Sequence, residues 1–200
     1  MLDAVLRAWD LAGESGDWPT SAAKLDEAER ALGRPLDPAL RALYERSGPG
    51  EYAGSNLGVL PPLPDGEDDL SLANAGALLR EWGWPAAEEA TVFATNGAGS
   101  YFGVWSGGAR PLVVDIGEFF DVEASLAVVG ADLPRFLAGW SAYYLISDGR
   151  RHAALDALGV PNDLRVEDPD MDDCLRWASG DVADRERLLT VAEVAALADR

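Results

Sequence analysis

The sequence predicts an α+β fold: an antiparallel β-meander sheet packed with helices at its N-terminal and C-terminal ends. Three observations carry this. Leu25, Ala28 and Leu32 share one helical face, and Leu40, Leu43 and Tyr44 share another, with Gly33 and Asp37-Pro38 between them. Two β-prone runs, Thr91 to Thr95 and Ser100 to Trp105, flank Asn96-Gly97, the strongest short hairpin signal. Leu133, Phe136, Leu137, Trp140 and Tyr144 then fall on one face of a later helix.

Taken in order, Leu2, Val5, Leu6 and Trp9 make residues 2–12 an amphipathic helix. Gly13 to Pro19 reads as a loop. A helical pair follows over 21–47. Gly33 tolerates the left-handed C-terminal position that a Cβ resists. Asp37 is a good N-cap, and Pro38 at the first helical position loses no needed N–H. Residues 48–69 read as loop and short strand, and 71–82 as a helix built on Leu72, Ala75, Leu78, Leu79 and Trp82. Beyond the hairpin, Pro111 to Ile116 is a third strand; Phe119-Phe120 and Leu126 to Val129 are candidates for more. Asp132 caps the helix over 132–146. After it, Gly149 and Gly159-Val-Pro161 break the chain into short helices, and residues 185–198 are expected to form a last one. Leu175, Trp177, Leu188, Leu189, Val191, Val194 and Leu197 are expected to pack this segment onto the core. The expected organisation is therefore a domain over 1–146 and an acidic helical extension over 147–200.

The wording of these elements resembles the SMI1/KNR4 superfamily, also called SUKH. Its members open with a glutamate, a leucine-glycine pair, a leucine-proline and a helix ending near a glycine. Here these are Glu29, Leu32-Gly33, Leu36 with Pro38, and Gly50. The similarity continues through Val92-Phe93, the Asn96 to Gly99 turn, Tyr101 to Trp105, Pro111 to Val114 and Phe136-Leu137, covering roughly 20–146. Two positions depart from the pattern. Asp37 stands where a proline is usual, and Pro49 precedes Gly50 where Asn is common; both are compatible with the same turns.

Composition bounds the function. The 200 residues suffice for a core without disulfides or metal, since a chain of this size buries roughly 70% of its unfolded surface. Apolar runs fall far short of the roughly 20 residues a membrane span needs. Asp3, Arg7 and Asp10 interrupt the N-terminus, unlike a signal peptide. Cys174 is the sole cysteine, which fits a reducing compartment, and a cytoplasmic location is expected. Asp plus Glu number 35 against 16 Lys plus Arg, a net charge of −19. Phosphate-bearing partners would be repelled, so nucleic acid and membranes are not expected partners; a basic protein partner is favoured. Acidity also serves solubility alone. The 15 Arg against one Lys (Lys24), with the abundant Ala, are what is expected of a GC-rich bacterial gene.

Sites for chemistry are sparse. Asp168, Asp170 and Asp172 occupy the first positions of a calcium loop, but Asp173 replaces its required Gly and Ser179 its closing Glu. Gly97, Gly99 and Gly103 miss the dinucleotide spacing by one, with Phe102 at the required position, and open a strand rather than a helix. His152 is alone, and Cys174 has acidic neighbours that disfavour a thiolate. No catalytic residue, metal or cofactor is expected. Trp82, Trp84, Tyr101 and Trp105 could line a small-ligand pocket, although such aromatics are more often core.

The resemblance implies a non-enzymatic binding protein, an immunity protein that neutralises a bacterial toxin by covering its active surface. A nuclease toxin would have a basic groove, which carboxylates can fill in place of phosphates. The alternative is a housekeeping scaffold or regulator of the same superfamily that binds an endogenous partner or small ligand. Clustering of acids in expected loops selects the partner-binding candidates: Asp65, Glu67, Asp68 and Asp69, and Asp168, Asp170, Asp172 and Asp173.

Overall fold

In the computed structural model, Glu29 ties the opening helical pair together. The structure describes residues 1–14, 16, 18–66, 69–81, 83–84, 89–105, 107–117, 125–149 and 151–200. Helix α1 is Leu2–Ala12, α2 is Ala22–Leu32 and α3 is Pro38–Arg46. Ser21 caps α2, and Gly33 ends it in the left-handed conformation at φ 69°. Asp37 accepts from the N–H groups of Ala39 and Leu40 to start α3. One Glu29 oxygen accepts from the Leu36 N–H at 3.0 Å, and the other pairs with Arg41 at 3.0 Å. That double role gives the glutamate of the family pattern a physical reason: it closes the turn from both sides.

Among the described residues, seven antiparallel strands follow one another in chain order across a single sheet. They are β1 (Gly50–Tyr52), β2 (Leu57–Val59), β3 (Ala90–Thr95), β4 (Ser100–Trp105), β5 (Val113–Gly117), β6 (Ser125–Gly130) and β7 (Asp184–Thr190). Gly103 is needed where β4 crosses β3, because a Cβ there would stand 2.7 Å from that of Ala90.

The strands alternate their side chains between two cores. On one face Phe93, Phe102, Val104, Val113 and Val129 pack against α1 to α3, α5 (Leu133–Ser147), α6 (His152–Leu158) and α7 (Met171–Ser179). On the other, Val92, Trp105, Val114, Ile116, Leu126 and Val128 meet α4 (Ala75–Glu81) and α8 (Val191–Ala198). Phe102, Phe136 and Trp140 interlock at the centre of the larger core, with ring centroids 4.7–5.6 Å apart. Helix α5 explains its own narrow sequence stripe: it is buried on most sides, against the sheet, α1 and α7.

The fold class agrees with the sequence reading, and four details differ. Residues 185–198 are not one helix. Asp184–Thr190 pairs with β6 as the last strand, and only Val191–Ala198 is helical. The 147–200 segment is thus not purely helical but completes the sheet. Leu188 is exposed rather than buried. The helix expected over 71–82 begins only at Ala75, because the Asn74 side chain accepts from the Ser71 N–H and hydroxyl and holds Ser71–Asn74 as a turn. Phe119, Phe120 and Trp82 lie outside the described residues. Among those described, no helix is long and apolar enough to cross a membrane.

Candidate functional site

The acidic candidates fall in two places. Asp65 and Asp69 are exposed between β2 and α4; Glu67 and Asp68 lie outside the described residues. Asp168 and Asp170 precede α7, and Asp172 and Asp173 occupy its first turn. Asp168, Asp170 and Asp173 are exposed, and Asp172 is half-buried. Their internal duties differ. Asp170 caps α7, accepting from the Asp172 N–H at 2.7 Å. Asp173 pairs with Arg176 at 3.0 Å. Among the described residues Asp65, Asp69 and Asp168 make no ion pair, so their charge is available to a partner.

Asp172 is the least surface-like of the group. Its Oδ1 is buried without a hydrogen bond. Burial pushes its carboxyl above the ordinary value, Asp170 and Glu186 add to the rise, and Arg185 and Arg176 oppose it. Arg185, at the start of β7, also acts on Asp115, a buried carboxyl on β5.

An apolar anchor stands out that acidic clustering did not select. Trp18 is 81% exposed, the most exposed of the large hydrophobic side chains described. Its backbone is pinned. A Cβ on Gly48 would lie 2.0 Å from the Trp18 carbonyl, and the Thr20 N–H donates to the Tyr44 carbonyl at 2.8 Å. The indole is therefore presented from a fixed base, the arrangement of an interface anchor. Its sequence signal is an aromatic residue in a Gly/Ser/Asp-rich loop, with no periodic partner to bury it.

Of the aromatic pocket candidates, Trp82 lies outside the described residues. Trp84 meets Tyr101 at a tilt of 52°, with ring centroids 5.6 Å apart, and Trp105 is buried in the smaller core beside a cavity of about 230 Å³. Cys174 is buried, and burial together with Asp173 and Asp170 pushes its thiol up to about 12. His152 is exposed at the start of α6. Among the described residues no group of three or more His, Cys, Asp or Glu side chains is placed to hold a metal ion. In place of a calcium loop, Asp170 spends its side chain on the α7 cap.

No curated protein matches the sequence. The family description SMI1 / KNR4 family (SUKH-1) matches residues 19–139, a stretch that runs from the base of the Trp18 loop through the α2–α3 pair and six of the seven strands into α5. The chain belongs to the SMI1/KNR4 family (SUKH-1).

Proposed function

We propose that this protein is a non-enzymatic binding protein, an immunity protein that neutralises a bacterial toxin by covering its basic active surface. The family includes immunity proteins and is generally non-catalytic. The observation that carries the reading is the pairing of uncommitted surface carboxylates, Asp65, Asp69 and Asp168, with a pinned and exposed Trp18 in a chain of net charge −19. Carboxylates steer a basic partner and exclude wrong ones; a buried indole supplies the lasting contact energy. A stable complex of this kind buries about 1,200–2,000 Å² in total.

The test is capture from host lysate, with the bound proteins identified after washes at low and then high salt. A basic toxin domain held at low salt and released at high salt is the expected result. Capture of a metabolic or cell-wall protein with salt-insensitive binding would replace this reading with that of a regulatory scaffold.

A further inference from the structure

The turn between β1 and β2 is built around a carboxylate that comes from far away in sequence. Glu14, just beyond α1, accepts from the Ala53 N–H with Oε2 at 2.7 Å and from the Gly54 N–H with Oε1 at 2.8 Å. Two successive backbone N–H groups thus converge on one bidentate anion, the geometry of a backbone nest. Arg151 adds a cation, with Nη1 3.3 Å from Glu14 Oε1; its Nε also pairs with Asp148 at 2.7 Å, and Nη1 donates to the Ala12 carbonyl. Glu14's side chain is only 9% exposed there.

The turn holds this shape against local preference. Ala53 (φ 53°), Gly54 (φ 65°) and Ser55 (φ 64°) all have positive φ, and two of them carry a Cβ. Such positions persist only where the surroundings over-determine them, and they concentrate at ligand sites. Here the surroundings are firm. The Asn56 side chain donates to the carbonyls of Ala53 and Gly54, and Trp140 Nε1 donates to the Asn56 carbonyl at 3.2 Å. Tyr52 at the foot of the turn stacks on Trp9 with centroids 4.1 Å apart. The scaffold is rigid and its occupant is a side chain from a loop. Beside that occupant lies a cavity of about 290 Å³ whose walls include Asn56, Tyr144, Ser147, Asp148 and Arg151.

We infer that the β1–β2 turn and Arg151 form a binding site for the carboxylate of a small organic acid, filled in cis by Glu14. A free acid that replaces Glu14 inherits both N–H donors and the guanidinium, and its remaining atoms enter the neighbouring cavity. Because Glu14 is tethered, its effective concentration is in the millimolar range or above, so a competing acid needs contacts in the cavity to displace it. Neither Trp18 nor the candidate surface carboxylates are among its ligands.

The experiment is chemical rescue of the full chain carrying Glu14→Ala, with formate as the probe. Thermal unfolding is compared in sodium formate, sodium phosphate and sodium chloride at equal ionic strength. The variant is expected to gain about 2–4 °C in formate over chloride, the effect of a ligand at a few times its dissociation constant. Wild type gains nothing, and adding Arg151→Ala to the variant lowers the gain. Should Glu14→Ala be unfolded in chloride, recovery of its folded circular dichroism in formate is the same positive result. No gain in formate, an equal gain in wild type, or an equal gain in phosphate would each overturn the assignment.

Discussion

Ser100 and Asp115 meet across β4 and β5, where the Ser100 hydroxyl donates to Asp115 Oδ2 at 3.2 Å. The other oxygen, Oδ1, is buried with no partner. Asp115 is 3% exposed, and burial pushes its carboxyl from 3.8 up to about 6, against the opposing effects of Ser100 and Arg185. The native protein therefore holds this proton more tightly than the unfolded chain. The resulting stabilisation is complete below about pH 3.8 and is lost as pH rises through about 6. Asp115→Asn keeps an acceptor for Ser100 and removes the ionisation. Its stability relative to wild type should climb between about pH 4 and 6, by up to about 3 kcal/mol in all, and level off at higher pH. Urea unfolding of both proteins across that range is the check. A difference independent of pH would show that Asp115 does not titrate there.

Trp9 lies before the matched stretch 19–139, yet it is 1% exposed and belongs to the larger core. Its Nε1–H donates to the Ser141 hydroxyl on α5 at 2.9 Å. Ser141→Ala should cost about 1–3 kcal/mol, because it leaves a buried donor unmatched. In a Trp9→Phe background that donor is gone, so the same change should cost much less. Denaturant midpoints of the double-mutant cycle decide this. Additive losses would mean that α1 is held by packing alone.

Gly139 lies at a close approach of α5 to α7. A Cβ there would stand 2.9 Å from the Cys174 carbonyl and 2.9 Å from the Leu175 Cα. Alanine is the better helix former by about 1 kcal/mol, so an exposed Gly→Ala would stabilise. Here backbone has to move, and overpacking typically costs about 1–3 kcal/mol. Gly139→Ala is therefore expected to lower the urea midpoint. A raised midpoint would mean that α7 rides loosely on α5.

The fold was legible where local signals and tertiary contacts agree. Gly33, Asp37 and Pro38 mark their helix ends, and Asn96-Gly97 marks its hairpin, as the structure has them. The end of the chain was not legible. Asp184 to Arg187 has little β propensity, and it becomes a strand because β6 offers a free edge. A clue was present: Thr190 and Glu193 form a capping box, which starts α8 after the strand rather than inside a longer helix. The acidic clusters could be located by loop position, but their commitments could not. Asp170 caps and Asp173 pairs, whereas Asp65 and Asp69 do neither. Glu14 was one acid among 35 Asp and Glu, and its partners at Ala53 and Gly54 are brought to it only by the packing of α1 against the core.

Trp18 and the Asp65/Asp69 pair should separate the two phases of partner binding. Trp18 is 81% exposed, so Trp18→Ala should leave the melting temperature nearly unchanged. If the indole is buried in the complex, its loss should cost about 2 kcal/mol or more, seen almost wholly as faster dissociation. Asp65→Lys with Asp69→Lys acts earlier. Both are exposed and make no ion pair among the described residues, so reversal should leave folding intact. It should slow association with a basic partner and flatten the dependence of that rate on salt. Surface plasmon resonance against the partner identified by capture, run at two ionic strengths, resolves both effects. A Trp18→Ala complex with unaltered dissociation would remove the indole from the interface. An unaltered association rate in the double reversal would move the electrostatic surface away from the β2–α4 loop and leave the α7 start, where Asp168 carries an uncommitted charge, as the acidic face that meets the partner.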